Sequence, residues 1–250
     1  MLEIKNITKL FKNGAGIKNV SFQIPEKSIC GFVGDNGMGK TTTIRCIFQE
    51  YQTSQGEVTY KGKTLKSRNN LIKIGLFPDT NSIPLDYQLK DYVTYLALLY
   101  KIPPKVAIEK LSELTKIFNL EGYENKKLKT LSAGMLKRAM LLAIMILDLE
   151  VIILDEPTAN LDVNSRQEFM EILLFLNSQG KTIIITSHII EELQEIIDFL
   201  VFIDNGEIKY SKPIDNKKES IKEIYNKYRS QNISTRVGDL KKYVKSSQEK

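Results

Sequence analysis

Residues 34–41 read Gly-Asp-Asn-Gly-Met-Gly-Lys-Thr and fit the pattern G-x-x-x-x-G-K-[ST], which limits the possible folds of this chain more than any other feature. An apolar run at 28–33 leads into these glycines, and the segment 41–48 after them lacks both Gly and Pro, as expected of a helix. Glycine backbones let successive N–H groups converge on phosphate oxygens, and a helix N-terminus adds partial positive charge. We therefore predict a strand, a phosphate-binding loop and a helix within an α/β fold.

The chemistry of this loop assigns specific contacts to its residues. Lys40 is expected to reach the β- and γ-phosphates of a nucleotide, and the Thr41 hydroxyl is expected to ligate Mg²⁺. A glycine-rich turn that binds nothing is the alternative, but a chance match in a chain of this length is roughly a one-in-a-hundred event. The residues predicted to bind the nucleotide here are Gly34, Asp35, Asn36, Gly37, Met38, Gly39, Lys40, Thr41 and Thr42.

A pair of carboxylates, Asp155 and Glu156, ends the apolar run 151–154. Adjacent strand residues point to opposite sides, so the two side chains cannot have the same role. One carboxylate can hold Mg²⁺, directly or through water, while the other orients and deprotonates the water that attacks a γ-phosphate. Alone, such a pair is usually a solvated strand terminus; in the same chain as a phosphate loop, it predicts nucleotide hydrolysis.

His188 is the only histidine in the chain, and it lies just after the apolar run 182–186. A lone histidine is more often a packed or surface residue than a catalytic one. Ligands in open α/β sheets gather at the carboxyl ends of the strands, however, and His188 ends a predicted strand. We therefore predict that His188 contacts the γ-phosphate.

The order of apolar and helical segments predicts a parallel sheet interrupted by a helical insertion. The β-branched runs at 151–154, 182–186 and 200–203 are typical of strands buried on both faces, and helical segments at 164–177 and 189–198 fit as crossovers between them. Three more helical segments lie at 91–100, 106–118 and 136–147. The predicted organisation is a nucleotide-binding core in two parts, a helical subdomain and a basic tail, at 1–81, 148–212, 82–147 and 213–250 respectively.

The net charge and the hydropathy of the sequence bear on whether the chain contacts nucleic acid or a membrane. The net charge is +6, but residues 209–250 hold 12 Lys or Arg against 5 Asp or Glu, so the rest is close to neutral. A basic tail can contact anionic lipid or nucleic acid, although a solvated, partly helical terminus is the simpler interpretation. Asp148 and Glu150 interrupt the most apolar stretch, 139–154, so we expect no transmembrane helix.

The amino terminus and the two cysteines favour a protein of a reducing compartment. The first residues lack the basic-then-apolar layout of a signal peptide. Two cysteines, Cys30 and Cys46, form no disulfide framework and show no metal-ligand spacing. We therefore expect a cytoplasmic protein that meets a membrane only through a partner or through surface contact.

Residues 131–138, Leu-Ser-Ala-Gly-Met-Leu-Lys-Arg, resemble the signature of ABC ATPases, which is usually L-S-G-G-Q. A helix capped by Ser132 is the alternative, and both interpretations hold together because such a helix start is itself an anion site. The order and spacing of the other motifs match the same family from Leu2 to about Lys212. These motifs are the phosphate loop, Asp155-Glu156-Pro157, Asn160-Leu161-Asp162 and His188.

This resemblance implies a P-loop NTPase core of the ABC ATPase type, with an inserted α-helical subdomain and a small N-terminal antiparallel β region. It also implies a head-to-tail dimer that closes around two ATP molecules. The γ-phosphate bound by Lys40 of one subunit would meet the signature of the other, and Asp162 would belong to the loop linking the two sites. The signature residues expected to contact this ATP are Ser132, Gly134 and Met135.

The resemblance also implies roles at the chemical centre. Glu156 would be the general base, Asp155 a Mg²⁺ ligand and His188 the γ-phosphate contact. Phe11 occupies the place where the family stacks an aromatic ring on adenine, and a core or turn role is the alternative. The helical subdomain would dock onto a membrane subunit.

Two residues depart from the family pattern. Asp79 stands where the family usually has Gln, sometimes Glu, touching Mg²⁺ and water, and the Asp79 side chain is shorter than either and, unlike Gln, charged. Met135 replaces the Gln of the signature and cannot make the hydrogen bonds of an amide. The pattern L-S-x-G-M is similar to a subgroup that often serves drug, peptide or bacteriocin exporters.

The favoured function is thus an ATP-hydrolysing subunit at the cytoplasmic face of the cell membrane. Its partners would be a separately encoded integral membrane subunit and a second ATP-binding subunit, and nucleic acid is not expected. A soluble ABC ATPase acting on ribosomes or nucleic acid is the alternative, but those relatives usually join two domains or insert long coiled coils. A small-molecule kinase with a phosphate loop is a further alternative, but in such an enzyme the signature and His188 would have no assigned function.

Overall fold

The computed structural model describes residues 1–77, 83–159, 161–187 and 189–229, which form two sheets and a set of helices. The smaller sheet is antiparallel and has the order β2-β1-β4-β5. Alternate residues of its first strand, including Leu2 and Ile4, are buried, as expected of a sheet with one covered face. This sheet confirms the predicted N-terminal β region, and its strands are β1 (Leu2–Leu10), β2 (Gly16–Ile24), β4 (Gln55–Tyr60) and β5 (Lys63–Thr64).

The larger sheet has the order β10-β9-β3-β8-β7-β6. Its neighbouring strands are parallel except for the edge pair β10 and β9. Carboxyl ends of parallel neighbours meet at one edge of the sheet, so the segments after β3, β7 and β8 are brought together. The strands are β3 (Ile29–Val33), β6 (Ile74–Phe77), β7 (Val151–Leu154), β8 (Thr182–Ser187), β9 (Phe199–Asp204) and β10 (Glu207–Pro213).

Eight α-helices are described, and three of them form the predicted insertion between β6 and β7. In that insertion α3, α4 and α5 pack against one another. Proline starts α4, where a missing N–H costs nothing, and the Ser132 hydroxyl caps α5. The helices are α1 (Lys40–Ile47), α2 (Arg68–Leu71), α3 (Leu89–Leu99), α4 (Pro104–Ile117), α5 (Ala133–Leu147), α6 (Val163–Ser178), α7 (Ile190–Leu193) and α8 (Ile221–Tyr228).

The central sheet has an apolar core on each face. On β3, Ile29 and Val33 face the core shared with the helical insertion, whereas Cys30 and Phe32 face the core shared with α1 and the small sheet. This alternation is why the run is apolar at every position: both faces are covered. In the described part of the chain, no helix is long and apolar enough to cross a membrane.

The predicted helix at 189–198 is wrong beyond Leu193. Turns follow α7, with the N–H of Ile196 donating to Leu193 O at 3.1 Å. The chain then has to reach the start of β9, where the carboxylate of Asp198 accepts a 3.0 Å hydrogen bond from the N–H of Ile29. Strands β6 and β10 were not predicted.

Candidate nucleotide site

The phosphate loop lies between β3 and α1, as the sequence predicts. Gly39 is the N-cap of α1 and has a φ of 111°, a left-handed geometry that favours glycine. Gly34 is packed so closely that a Cβ added there would lie 2.4 Å from Ile203 O. The exposed middle of the loop consists of Asn36 and Gly37, while Met38 accepts a 3.1 Å backbone hydrogen bond from the N–H of Gly206. The packing of Gly34 and the hydrogen bond of Met38 therefore fix the backbone conformation of the loop.

Lys40 is folded back onto this loop. Its Nζ donates hydrogen bonds to Gly34 O at 2.7 Å and to Asp35 O at 3.3 Å, and its side chain is only 5% exposed. Burial lowers the pKa of Lys40, and the nearby carboxylates, that of Glu156 foremost, oppose this shift. A buried cation whose hydrogen bonds go to neutral carbonyls is well placed to gain from an anionic ligand.

Two hydroxyls hold Asp155. The Thr41 hydroxyl, in the first turn of α1 beside Thr42, donates to Asp155 Oδ2 at 2.8 Å, and the Thr186 hydroxyl donates to Oδ1 at 2.6 Å. This arrangement joins α1 to the ends of β7 and β8. It fixes both carboxylate oxygens in place.

Glu156 lies beside this pair in an unusual backbone conformation. Its φ is 47°, a region that non-glycine residues rarely occupy and that is enriched at functional sites. Its N–H donates to the Thr186 hydroxyl at 2.9 Å, and its Oε1 is 3.9 Å from the Nζ of Lys40. Glu156 is therefore turned towards the phosphate loop by the backbone, with Thr186 as support.

The donor set at Thr41 and Asp155 suits Mg²⁺. This ion prefers hard oxygen ligands and usually combines one or two protein oxygens with substrate phosphates and water. The Thr41 hydroxyl and the Asp155 carboxylate supply such oxygens within 2.8 Å of each other, next to the loop. The residues present therefore fit this metal.

A second group of predicted residues lies at the start of α5 and α6. Ser132 accepts a 3.3 Å hydrogen bond from the N–H of Met135, whose side chain packs on the core. Asp162 caps α6 by accepting from the N–H and the hydroxyl of Ser165, at 3.0 and 2.7 Å. A Cβ on Gly134 would lie 3.3 Å from that same hydroxyl, so signature and Asp162 are neighbours in one chain.

Three more residues were predicted to belong to the site. One of them, Phe11, lies apart from both groups described above, and the other two lie outside the described residues. The ring of Phe11 meets Tyr51 edge-on at 5.5 Å, with Lys9 Nζ 5.6 Å from its centroid, so adenine stacking on Phe11 stays a prediction. Asp79 and His188 lie outside the described residues, and their roles stay predictions.

Thr186 is a candidate site residue that the sequence did not predict. It is fully buried, and its hydroxyl contacts both carboxylic residues of the pair. The available signal was a threonine at the end of an otherwise isoleucine-rich strand, where a buried hydroxyl requires partners.

The family model described as ABC transporter matches residues 17–159, which span the phosphate loop, the helical insertion and the Asp155-Glu156 pair. This range is more than half of the chain.

Three bacterial relatives are similar over most of the chain, and all come from Bacillus subtilis strain 168. The uncharacterized ABC transporter ATP-binding protein YhaQ is 29% identical, over 98% of this chain and 80% of YhaQ. The ABC transporter ATP-binding protein NatA is 31% identical, over 82% of this chain and 84% of NatA. The SkfA peptide export ATP-binding protein SkfE is 29% identical, over 83% of this chain and 87% of SkfE.

Solved structures share the fold. The structure of an ATP-binding subunit of an ABC transporter superposes with a TM-score of 0.82 at 22% identity, covering 91% of this chain and 99% of that one. A dimeric ATP-binding cassette in a post-hydrolysis state, bound to ADP and Pi, gives a TM-score of 0.72 at 25% identity, covering 85% and 98%.

Proposed function

This chain belongs to the ABC transporter family as an ATP-binding, ATP-hydrolysing subunit, and we propose that it energises export through a separate membrane subunit by ATP-driven closure of a dimer. The observation that carries the proposal is the hydrogen bond from Thr41 to Asp155, with Glu156 beside it. This contact joins α1, at the end of the phosphate loop, to the end of β7, and it supports a site for the γ-phosphate and its attacking water at that junction.

In the proposed hydrolysis each residue acts at a stated atom. The Nζ of Lys40 leaves its loop carbonyls and donates to the β- and γ-phosphates. The Glu156 carboxylate orients a water and takes its proton as that water attacks the γ-phosphorus in line. The bond from the γ-phosphorus to the β,γ-bridging oxygen breaks, and ADP leaves with that oxygen and its electron pair. Thr186 keeps the main chain of Glu156 and the carboxylate of Asp155 in fixed relation. His188 contacts the γ-phosphate, and Phe11 stacks on adenine.

Thr41 and Asp155 are the residues that would hold Mg²⁺. When bound, Mg²⁺ would supply positive charge that neutralises the charge developing on the phosphate oxygens. Their hydroxyl and carboxylate oxygens then serve as ligands instead of bonding to each other. Asp79 would touch the same metal and its water.

The proposal of a dimer is supported by the contacts of the predicted residues, which fall into two groups. Lys40, Thr41, Asp155 and Glu156 form one group, and the signature start with Asp162 forms the other. In a head-to-tail dimer the first group of one subunit meets Ser132, Gly134 and Met135 of the other across ATP. The related cassette solved as a dimer with ADP and Pi supports this arrangement.

The helical insertion offers a surface for a membrane subunit. On α3, Tyr95 and Leu98 lie three residues apart on one helix face and are 50% and 58% exposed. Exposed apolar side chains that share a helix face favour contact with a partner. We place the chain at the cytoplasmic face of the membrane, bound peripherally through this insertion.

Export of a peptide or a drug is the proposed direction and cargo class. The peptide-export name of SkfE and the L-S-x-G-M pattern support this choice. The domain limits proposed for this function remain 1–81, 82–147, 148–212 and 213–250.

The test is the Glu156→Gln variant, which keeps the shape of the side chain and removes its basicity. It should bind ATP, hydrolyse almost none and form a stable dimer, measured by phosphate release and by size-exclusion chromatography with ATP. Glu57→Gln, at an exposed position on β4, is the control for an acid-to-amide change and should behave like the wild type. Normal hydrolysis by Glu156→Gln would refute its role as general base.

The same variant also tests the transporter assignment. Tagged Glu156→Gln protein with ATP is recovered from gently solubilised native membranes, and its partners are identified by mass spectrometry. A stoichiometric polytopic membrane protein supports the proposal. Recovery of ribosomes or nucleic acid without such a subunit overturns it in favour of a soluble ABC ATPase.

A further inference from the structure

Asp35, the second residue of the phosphate loop, is held from the C-terminal helix α8. The Tyr225 hydroxyl donates a hydrogen bond to Asp35 Oδ1, and an Arg229 guanidinium nitrogen lies 2.7 Å from Asp35 Oδ2. Each carboxylate oxygen therefore has its own partner, although the chain separation between Asp35 and Tyr225 is 190 residues. The hydroxyl and the guanidinium together direct the Asp35 side chain towards α8.

The contact is supported by a fixed helix. The Gln194 amide, just after α7, accepts from the N–H of Ile221 at 2.8 Å and donates to two carbonyls of the segment before α8. The Tyr225 ring meets the buried Phe202 ring edge-on at 5.3 Å, and the Arg229 guanidinium lies 5.3 Å from the Tyr225 ring centroid. The core therefore supports the position of Tyr225, and the Arg229 guanidinium lies against the Tyr225 ring.

A carboxylate at this place in the loop has an electrostatic consequence. The neighbouring carbonyl, Asp35 O, already accepts from Lys40 Nζ at 3.3 Å, so the side chain starts from the backbone that surrounds the phosphate-binding lysine. Like charges a few ångströms apart repel each other, and the repulsion is stronger where protein rather than water surrounds them. An Asp35 side chain free to rotate towards the triphosphate would weaken ATP binding and compete for Lys40.

We propose that Tyr225 and Arg229 are positioning residues for ATP binding, which hold the Asp35 carboxylate against α8 and away from the triphosphate. This inference rests on the proposed function, because it assumes that residues 34–41 bind ATP. It assigns a role to the end of α8, a segment that the motifs of the chain leave without one. A helix that anchors the C-terminal segment with no effect on the nucleotide is the competing explanation.

Arg229 is a cation beside the phosphate loop, so the loss of its charge would weaken ATP binding even without a positioning role, and the experiment separates the two effects. A direct attraction between Arg229 and the triphosphate is independent of Asp35, so its loss is the same whether residue 35 is Asp or Asn. Holding the carboxylate away matters only when a carboxylate is present. A double-mutant cycle therefore isolates the positioning role.

The experiment measures the Kd of ATP by calorimetry with the full chain in EDTA, which prevents hydrolysis. The variants are Tyr225→Phe and Arg229→Ala, each made with Asp35 and with Asp35→Asn. Lys222→Ala removes a cation from the same helix, where Lys222 pairs with Glu191 at 3.4 Å, and is the matched control. Thermal unfolding of each protein reports whether α8 has been destabilised.

With Asp35 present, we expect Tyr225→Phe and Arg229→Ala to raise the Kd about three- to tenfold. With Asp35→Asn the same changes should alter it less than about twofold, and Lys222→Ala should leave it within about twofold of the wild type. In hydrolysis assays with the Asp35 proteins, KM should rise while kcat stays close to that of the wild type.

Two results would overturn the inference while leaving the proposed function intact: equal losses in both backgrounds, or no loss in either although the wild type binds ATP. A wild-type protein that binds no ATP at all would overturn both the inference and the proposed function.

Discussion

The Thr186 hydroxyl donates to Asp155 Oδ1 at 2.6 Å while it accepts from the N–H of Glu156 at 2.9 Å. One fully buried side chain on β8 therefore links the proposed metal ligand to the backbone of the proposed general base, and both of these residues follow the adjacent strand β7. Removal of that hydroxyl would leave the Asp155 Oδ1 atom and the N–H of Glu156, both partly buried, without this hydrogen-bond partner, so both acids would be free to shift.

We predict that Thr186→Val, which keeps the shape of the side chain, lowers kcat for ATP hydrolysis about 10- to 100-fold, because catalytic groups displaced by an ångström lose much of their effect. The Kd of ATP should change far less, since Lys40 and the loop are untouched. Thr182→Val is the matched control: Thr182 is buried at the opposite end of the same strand, where its hydroxyl accepts from the N–H of Lys27 at 2.9 Å. Equal kcat values for the two variants would contradict the proposed link.

The fold was predictable where the local sequence alone determines the structure. The run that became β3, the loop after it and α1 were expected from their glycines and apolar residues, and the signature helix from its cap at Ser132. In these segments both faces of a strand, or one end of a helix, are specified by neighbouring residues.

The structure differs from the predictions where contacts between residues far apart in the sequence determine it. Strand β10 is polar and half exposed, and it forms because β9 offers it an edge with which to pair. The contact of Thr186 with Asp155 and that of Arg229 with Asp35 depend on strand order and on helix placement. Sequence spacing contains no such information, because these partners lie far apart along the chain.

The close packing of Gly34 predicts a specific loss of stability. A Cβ at this position would lie 2.4 Å from Ile203 O and 2.9 Å from Ile203 Cγ2, so β3 and β9 would have to move apart. Gly34→Ala should therefore lower the free energy of unfolding by about 1–3 kcal/mol, measured by urea denaturation. It should also weaken ATP binding, since the loop begins there.

Gly62→Ala is the control for Gly34→Ala. A Cβ on Gly62 would have nothing within 4 Å, and only its φ of 73° opposes a side chain. Gly62→Ala should lower the free energy of unfolding by about 1 kcal/mol and leave the Kd of ATP unchanged. A Gly34→Ala protein that binds ATP as tightly as Gly62→Ala would show that the loop tolerates this displacement.

The exposed apolar face of α3 predicts a selective loss of partner binding. Leu98→Glu places a charge at a position that is 58% exposed, so the monomer should fold and hydrolyse ATP normally. Recovery of the membrane subunit in the pull-down should fall at least about tenfold, because an unpaired charge would be buried in the contact. Phe175→Glu on α6, 52% exposed and outside the insertion, should leave recovery unchanged. Equal losses from both variants would contradict docking through α3.

Glu150 predicts how stability depends on pH. It accepts hydrogen bonds on Oε2 from Lys61 at 2.7 Å and Tyr60 at 2.8 Å, and Lys73 lies 3.4 Å from Oε1. These contacts, that with Lys61 foremost, lower the pKa of Glu150 from 4.5 to about 2. Because the folded pKa lies below the unfolded one, the ionised carboxylate stabilises the fold fully above pH 4.5, and this contribution is lost as the pH falls towards 2.

The wild type should therefore exceed Glu150→Gln in free energy of unfolding by about 1 kcal/mol at pH 7, a value that allows for solvent screening of a side chain one third exposed. Urea denaturation at several pH values should show the difference shrinking steadily below pH 4.5. Tyr60→Phe removes one of the two donors to Glu150 Oε2. In the Tyr60→Phe background, the effect of Glu150→Gln on the free energy of unfolding should therefore retain part of its pH dependence. A difference between wild type and Glu150→Gln that is equal at neutral and acid pH would show that Glu150 is not held ionised by these partners.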